Sequence, residues 1–136
     1  HAKLRVRKNG EKYEITKKTL IDNDPSKQLE NTIPLTKEEF EELNLLPGKR
    51  IRKIRYYYPF AGRMAEVDVF QDDLKGLVLV DFEFEFEHEK DVFEMPDFCL
   101  ADVTIEDAIA GGMLCGKHLL EVLPHLEKYG YSQVKY

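Results

Sequence analysis

The stretch VLVDFEFEFEHEK, residues 78–90, places Asp81, Glu83, Glu85, Glu87 and Glu89 at every second position, with Val80, Phe82, Phe84 and Phe86 between them. In a β-strand, side chains at i and i+2 share one face, so this spacing aligns the carboxylates. Two carboxylates about 7 Å apart repel by roughly 2 kcal/mol at an effective dielectric of 20, and by about 0.6 kcal/mol in water. Exposed, the pattern costs little; enclosed, it needs counter-charge. Mg²⁺ or Mn²⁺ held by carboxylate oxygens supplies that charge, and such ions commonly pair with substrate phosphates. Carboxylates of this run are therefore candidates to hold Mg²⁺ or Mn²⁺ as the cofactor. Glu87 and Glu89 are expected to run out into water.

Other segments alternate in the same way but with different charge. Arg5 and Arg7 alternate with Leu4 and Val6, Lys53 and Arg55 with Arg52, Ile54 and Tyr56, and Glu66 and Asp68 with Val67 and Val69. Glu14, Thr16 and Lys18 alternate with Tyr13 and Ile15, and Gln28, Glu30 and Thr32 share a parity in the next run. A face built only for solubility mixes signs more freely within a strand. Single-sign faces suit a highly charged ligand, with Arg gripping phosphate oxygens through its fork and Lys acting as a point charge.

The elements that carry these residues follow from the same periodicity. Six segments have period-two patterning, 3–7, 12–18, 28–35, 50–58, 63–70 and 77–87. The turns KNGE, PFAG and QDDLKG are short, which makes neighbouring strands antiparallel. A short helix is expected over about 37–45, with Thr36 and Glu39 forming a capping box and Pro47-Gly48 stopping it. A second is expected near TIEDAIAGG, capped by Thr104, and a third near GKHLLEVLPHLEKYG, interrupted or kinked at Pro124. Met113, Leu114, Leu119 and Leu120 are expected in the core. His88, His118 and His125 are scattered without ligand spacing and receive no role.

The predicted fold is mainly β (α+β): an antiparallel β-barrel or tunnel with a charged interior and covering helices. Closing such a barrel takes about eight strands, so at least one is expected beyond the six seen. A barrel for an apolar ligand would need an apolar interior, which the charged faces disfavour.

The 136 residues suit one domain, and 34% are charged with a formal net charge of -6, which argues against a surface that coats nucleic acid in general. Neither a spanning helix nor a signal peptide is visible, so a cytoplasmic protein is expected. Cys99 and Cys115 show no disulfide or metal spacing and are expected to be reduced and mostly buried.

The segments LRVRKNGEKYEITKK, IRKIRYYYP, AEVDVFQDDLKGLVLVDFEF and FEMPDFCLADVT, in this order, resemble the CYTH domain of the triphosphate tunnel metalloenzymes. That family includes class IV adenylate cyclases, thiamine triphosphatases and inorganic triphosphatases. The resemblance runs from about residue 3 to residue 104. It implies a single CYTH-like domain over residues 1–136 and makes Arg5, Arg7, Lys18, Lys53 and Arg55 phosphate ligands. It also makes Lys18, Glu30 and Asp68 candidate catalytic residues and sets Asp81 and Glu83 where the family has a metal-holding Glu-x-Glu pair, so that Asp81, Glu83 and Glu85 are the candidate metal ligands.

Three departures stand out. The family's Glu-x-Glu-x-Lys motif on the first strand is not in this sequence, so the domain is expected to lack that strand. In EFEHEK, residues 85–90, Lys90 falls on the wrong parity to replace it. Asp81 stands where Glu is usual, and Ala65 where an aromatic often precedes the EVD run.

The resulting expectation is an enzyme, a triphosphatase (a phosphoric anhydride hydrolase) acting on inorganic triphosphate, thiamine triphosphate or a nucleotide. The alternatives are a class IV adenylate cyclase, or a non-catalytic module that binds polyphosphate or nucleotide. The expected partner is a small triphosphate or nucleotide. Homodimer formation is left open, and neither general nucleic-acid binding nor a membrane is expected.

Overall fold

The computed structural model describes residues 4–136, apart from the side chains of residues 24–27 and 111. The start of the expected strand 3–7 lies outside the described residues. The chain divides into two compact units, His1–Lys49 and Arg50–Tyr136.

The first unit is a three-stranded antiparallel sheet in the order β1-β2-β3, formed by β1 (Leu4–Asn9), β2 (Lys12–Ile21) and β3 (Asp24–Leu35). Asn9 pairs with Lys12, so the β1–β2 loop is Gly10-Glu11, with Gly10 at φ +62 supplying the positive φ that a tight hairpin requires. Strands β2 and β3 extend beyond the expected 12–18 and 28–35 because Asp22 and Asn23, at φ 53 and 57, close a second tight hairpin. Short Asx side chains tolerate that left-handed region. Pro34 lies in β3, an outer strand, where a missing N–H costs least. Helix α1 (Lys37–Leu43) starts as expected: Thr36 Oγ1 accepts from the Glu39 N–H at 3.1 Å, and Glu39 accepts from the Thr36 N–H at 2.8 Å. Phe40 of α1 meets the Tyr13 ring at 5.2 Å between centroids.

The second unit holds β4 (Lys53–Phe60), β5 (Arg63–Phe70) and β6 (Val78–Asp81) in the order β4-β5-β6. Ala61 and Gly62, at φ 50 and 75, close the β4–β5 hairpin. Its core is Phe70, Leu74, Leu77, Leu114, Leu119, Val122 and Leu126. Leu114 and Leu119 lie there as expected, whereas Met113 and Leu120 are exposed. Positions 119, 122 and 126 of α3 (Leu119–Leu126) form its buried stripe, and Leu120 falls outside it.

Two expectations about elements are corrected. The strand expected over 77–87 ends at Asp81, and α2 (Glu87–Val92) follows a short irregular stretch. Its residues, EHEKDV, include strong helix formers, and Glu87 and Glu89 lie in its first turn, where the helix dipole favours acids. The alternating Phe82 and Phe84 both pack on Phe93, at 4.7 and 5.1 Å between centroids. Near TIEDAIAGG only two 3₁₀ turns form, Asp107–Ile109 and Gly111–Leu114, and Thr104 caps nothing. Instead Asp102 Oδ1 accepts from the Thr104 N–H at 3.0 Å, a local turn that competes with helix. Helix α3 includes Pro124 without interruption, and Gly130 at φ 75 ends the 3₁₀ turn that follows. His118 caps α3: its Nδ1 accepts from the Leu120 N–H at 3.2 Å, and Glu121 accepts from the His118 N–H at 2.8 Å.

Candidate functional site

Each sheet sets several of the predicted site residues on one face. In the first unit the register aligns Arg5 with Thr16 and Thr32, Arg7 with Glu14, and Lys18 with Glu30. Residues directly opposite in antiparallel strands share a face, so Arg5, Arg7, Glu14, Thr16, Lys18, Glu30 and Thr32 lie together. The Thr16 and Thr32 hydroxyls are hydrogen-bonded at 2.8 Å, which fixes that face locally, and Thr16 is buried. Arg5, Arg7 and Glu30 are exposed and Lys18 is half-buried. Among the described residues none of these four enters an ion pair; the first unit's ion pairs are Lys12–Glu14 and Lys37–Glu41. On that face Arg5, Arg7 and Lys18 are cations without an ion pair among the described residues.

In the second unit the predicted phosphate ligands Lys53 and Arg55 are already ion-paired. The register sets Arg55 opposite Asp68, Tyr57 opposite Glu66, and Glu66 opposite Asp81. Asp68 is buried at 1% exposure, and its Oδ1 accepts from Arg55 Nε at 2.7 Å while Oδ2 accepts from Arg55 Nη2 at 2.9 Å and from Lys53 Nζ. Arg55 Nη1 pairs with Glu66, and its Nη2 lies 3.9 Å from Asp81. One guanidinium therefore serves three carboxylates. Burial pushes the Asp68 carboxyl up, but the hydrogen bonds from Arg55 and Lys53, with their charges, outweigh it and hold it below the usual carboxylate range. The hydrogen bond to Asp68 in turn raises Arg55.

The sequence-predicted residues thus divide into groups. Lys53, Arg55, Asp68 and Asp81 are brought into one lattice, and Arg5, Arg7, Lys18 and Glu30 share the face of the other sheet. Glu83 and Glu85 follow β6 in irregular backbone, exposed and without an ion pair among the described residues. Glu66, a same-face neighbour of Asp68, was not singled out as a ligand from the sequence, yet it is a direct partner of Arg55. Its signal was the parity it shares with Asp68. Glu89, expected in water, instead accepts from Arg63 Nη1 at 3.0 Å, because α2 turns it back toward the β4–β5 hairpin. The Arg63 guanidinium stacks 4.6 Å from the Phe84 centroid.

Among the described residues, no three His, Cys, Asp or Glu side chains gather closely enough to hold a metal ion by themselves. The donor chemistry nonetheless fits a hard divalent ion, since Mg²⁺ is commonly bound by one or two carboxylates together with substrate phosphates and water. Glu66 and Asp81 face each other across β5 and β6, and the Arg55 guanidinium stands between them as a cation already in place. Cys99 and Cys115 are free and half-buried. No helix among the described residues is long and apolar enough to cross a membrane.

The fold matches solved structures closely enough to compare in detail. A crystal structure of the hypothetical protein NE1496 superposes with a TM-score of 0.68 and 29% identity, over 85% of this chain and 76% of that one. A crystal structure of the inorganic triphosphatase NE1496 superposes with a TM-score of 0.67 and 28% identity, over 84% of this chain and 75% of that one. No family model and no curated protein matches the chain. The resemblance read in the sequence is borne out by these neighbours, to which the chain is similar over most of its length.

Proposed function

We propose that this chain is a metal-dependent phosphohydrolase acting on a triphosphate-bearing substrate, inorganic triphosphate first among them. The observation that supports this reading is a cation-bearing sheet face in each unit, with Arg5, Arg7 and Lys18 on one and Lys53 and Arg55 on the other. The likeness to an inorganic triphosphatase supports triphosphatase-type chemistry. The closed β-barrel tunnel of the family belongs to this proposal.

In this reading Arg5, Arg7, Lys18, Lys53 and Arg55 bind phosphate oxygens, and Asp81, Glu83 and Glu85, with Glu66 added, hold Mg²⁺ or Mn²⁺. The metal, when bound, offsets negative charge on the phosphoryl oxygens. Lys18 and Glu30, opposite each other across β2 and β3, orient the attacking water. The water oxygen forms a bond to the terminal phosphorus as the bridging P–O bond breaks, giving orthophosphate and pyrophosphate. Phosphoryl transfer of this kind depends mostly on positioning and charge stabilisation, which the cations provide. Asp68 has both oxygens engaged, so it acts as a positioning residue for Lys53 and Arg55.

The test is phosphate release from inorganic triphosphate, ATP and thiamine triphosphate, with and without Mg²⁺ or Mn²⁺. Metal-dependent release supports hydrolysis. Binding without release contradicts it and favours a binding module, and cyclic AMP with pyrophosphate from ATP contradicts it in favour of a cyclase.

A further inference from the structure

We propose that the Thr32 hydroxyl donates a hydrogen bond to a phosphate oxygen of the bound substrate, and that the buried Thr16 hydroxyl sets its direction. The inference rests on the function proposed above and deepens it.

Arg5, Thr16 and Thr32 form one row across the first sheet, Arg5 opposite Thr16 and Thr16 opposite Thr32. The two threonine Oγ1 atoms are 2.8 Å apart, with Thr16 only 3% exposed and Thr32 open to solvent. A hydroxyl carries one proton and two lone pairs, so one of the pair donates to the other and the receiver keeps its own proton. Among the described residues neither hydroxyl has a second partner. Were Thr32 the donor, the Thr16 proton would be left buried with nothing to receive it, at the cost of an unsatisfied buried donor. With Thr16 as donor that proton is spent, and the remaining one belongs to Thr32 at the surface. Burial thus selects the direction of the bond, and a hydroxyl that already accepts is the stronger donor for it.

The Thr32 proton calls for an acceptor, and ionised phosphate oxygens act as acceptors alone. The face around it favours an anion. Arg5 stands in the same row and Lys18 in the next, and neither has an ion pair among the described residues. Glu30, the same-face neighbour of Thr32 on β3, is set opposite Lys18, a pairing of opposite charges that offsets its repulsion of an anion. Arg and Lys draw any anion by charge. The hydroxyl adds a distance and angle that only a well-placed oxygen meets.

The test uses the whole chain, with tripolyphosphate binding in EDTA followed by calorimetry and stability followed by thermal unfolding. Thr32→Val keeps the shape and is expected to bind tripolyphosphate about 3- to 10-fold more weakly than wild type, the loss of one hydrogen bond. Thr32→Ser, which keeps the hydroxyl, is expected to bind at least about 3-fold more tightly than Thr32→Val. Thr32→Val also strands the buried Thr16 hydroxyl, so its Tm should fall. The double variant Thr16→Val/Thr32→Val leaves no orphaned hydroxyl and is expected to recover Tm while binding stays weak. Affinity that recovers together with Tm in the double variant shows a purely structural pair and overturns the proposal, as does wild-type affinity in Thr32→Val. The expected shifts in a chain that releases no phosphate with Mg²⁺ or Mn²⁺ would contradict only the hydrolase reading. Phosphate release by the wild type with no effect of Thr32→Val on affinity would contradict only the role of Thr32, and a wild type that does not bind tripolyphosphate contradicts both.

Discussion

Asp68 and Arg55 sit opposite each other across β5 and β4, and both carboxylate oxygens of Asp68 accept from the one guanidinium, at 2.7 and 2.9 Å. The carboxylate is buried and the guanidinium is partly exposed, so Asp68 depends on Arg55 more than Arg55 depends on Asp68. Asp68→Asn keeps the volume but removes the charge that holds two cations. We expect a loss of ~1–3 kcal/mol, below the range for fully buried pairs because Lys53 and Arg55 reach water. Thermal unfolding followed by circular dichroism checks this; an unchanged Tm would contradict it.

The same pair predicts a pH dependence. Asp68 is held below its ordinary range in the folded chain, whereas an unfolded Asp titrates near ~3.9. Its stabilising contribution is therefore complete above about pH 4 and is lost as pH falls through the lower folded value. The stability gap between wild type and Asp68→Asn should be widest near neutral pH and narrow in this acid window. Urea unfolding of both proteins at neutral and acid pH reads it directly, and a gap that widened on acidification would contradict the assignment.

The polar face of each strand and the KNGE and PFAG hairpins could be read from the sequence, whereas the Asp22-Asn23 hairpin could not. Parity alone groups Arg5 with Arg7, Thr16 with Lys18, Glu30 with Thr32, Lys53 with Arg55 and Glu66 with Asp68, each on one face of its own strand, because alternation is a local property of a strand. Register is not local. That Glu66 lies opposite Asp81, and that Arg55 reaches both, depends on how β4, β5 and β6 align, which strand periodicity leaves open. The end of β6 was hidden for another reason. Alternation in FEFEFE satisfies the strand pattern, yet Phe82 and Phe84 find their partner in Phe93, eleven and nine residues further on in the chain.

Arg63 joins three parts of that region, since it pairs with Glu89 and stacks on Phe84. Arg63→Ala should loosen residues 82–93 without unfolding the core around Leu77. Hydrogen exchange should show faster amide exchange across α2 with unchanged protection in β5. Equal loss in both places would indicate global destabilisation instead.

The C-terminal segment is tied to the β5–β6 connection by backbone and tyrosine contacts. The Tyr131 hydroxyl donates to the Gly76 carbonyl at 2.7 Å and accepts from the Val78 N–H at 3.0 Å, and the Val134 N–H donates to Gly76 at 2.9 Å. Gly76 has φ +106, and a side chain there would run into Gln133. Tyr131→Phe is expected to cost ~1–2 kcal/mol for the lost hydrogen bonds, and Gly76→Ala at least as much through backbone strain and the clash. Chemical denaturation measures both, and a neutral Gly76→Ala would contradict the packing described.

The most direct test of the central claim is ³¹P NMR of inorganic triphosphate incubated with the chain and Mg²⁺ or Mn²⁺. The account predicts orthophosphate and pyrophosphate signals growing at the expense of triphosphate, and a rate at least ~10-fold lower for Arg55→Gln, the loss of one charge-assisted phosphate contact. A triphosphate spectrum that stays unchanged with either metal, or an Arg55→Gln rate equal to wild type, would contradict it.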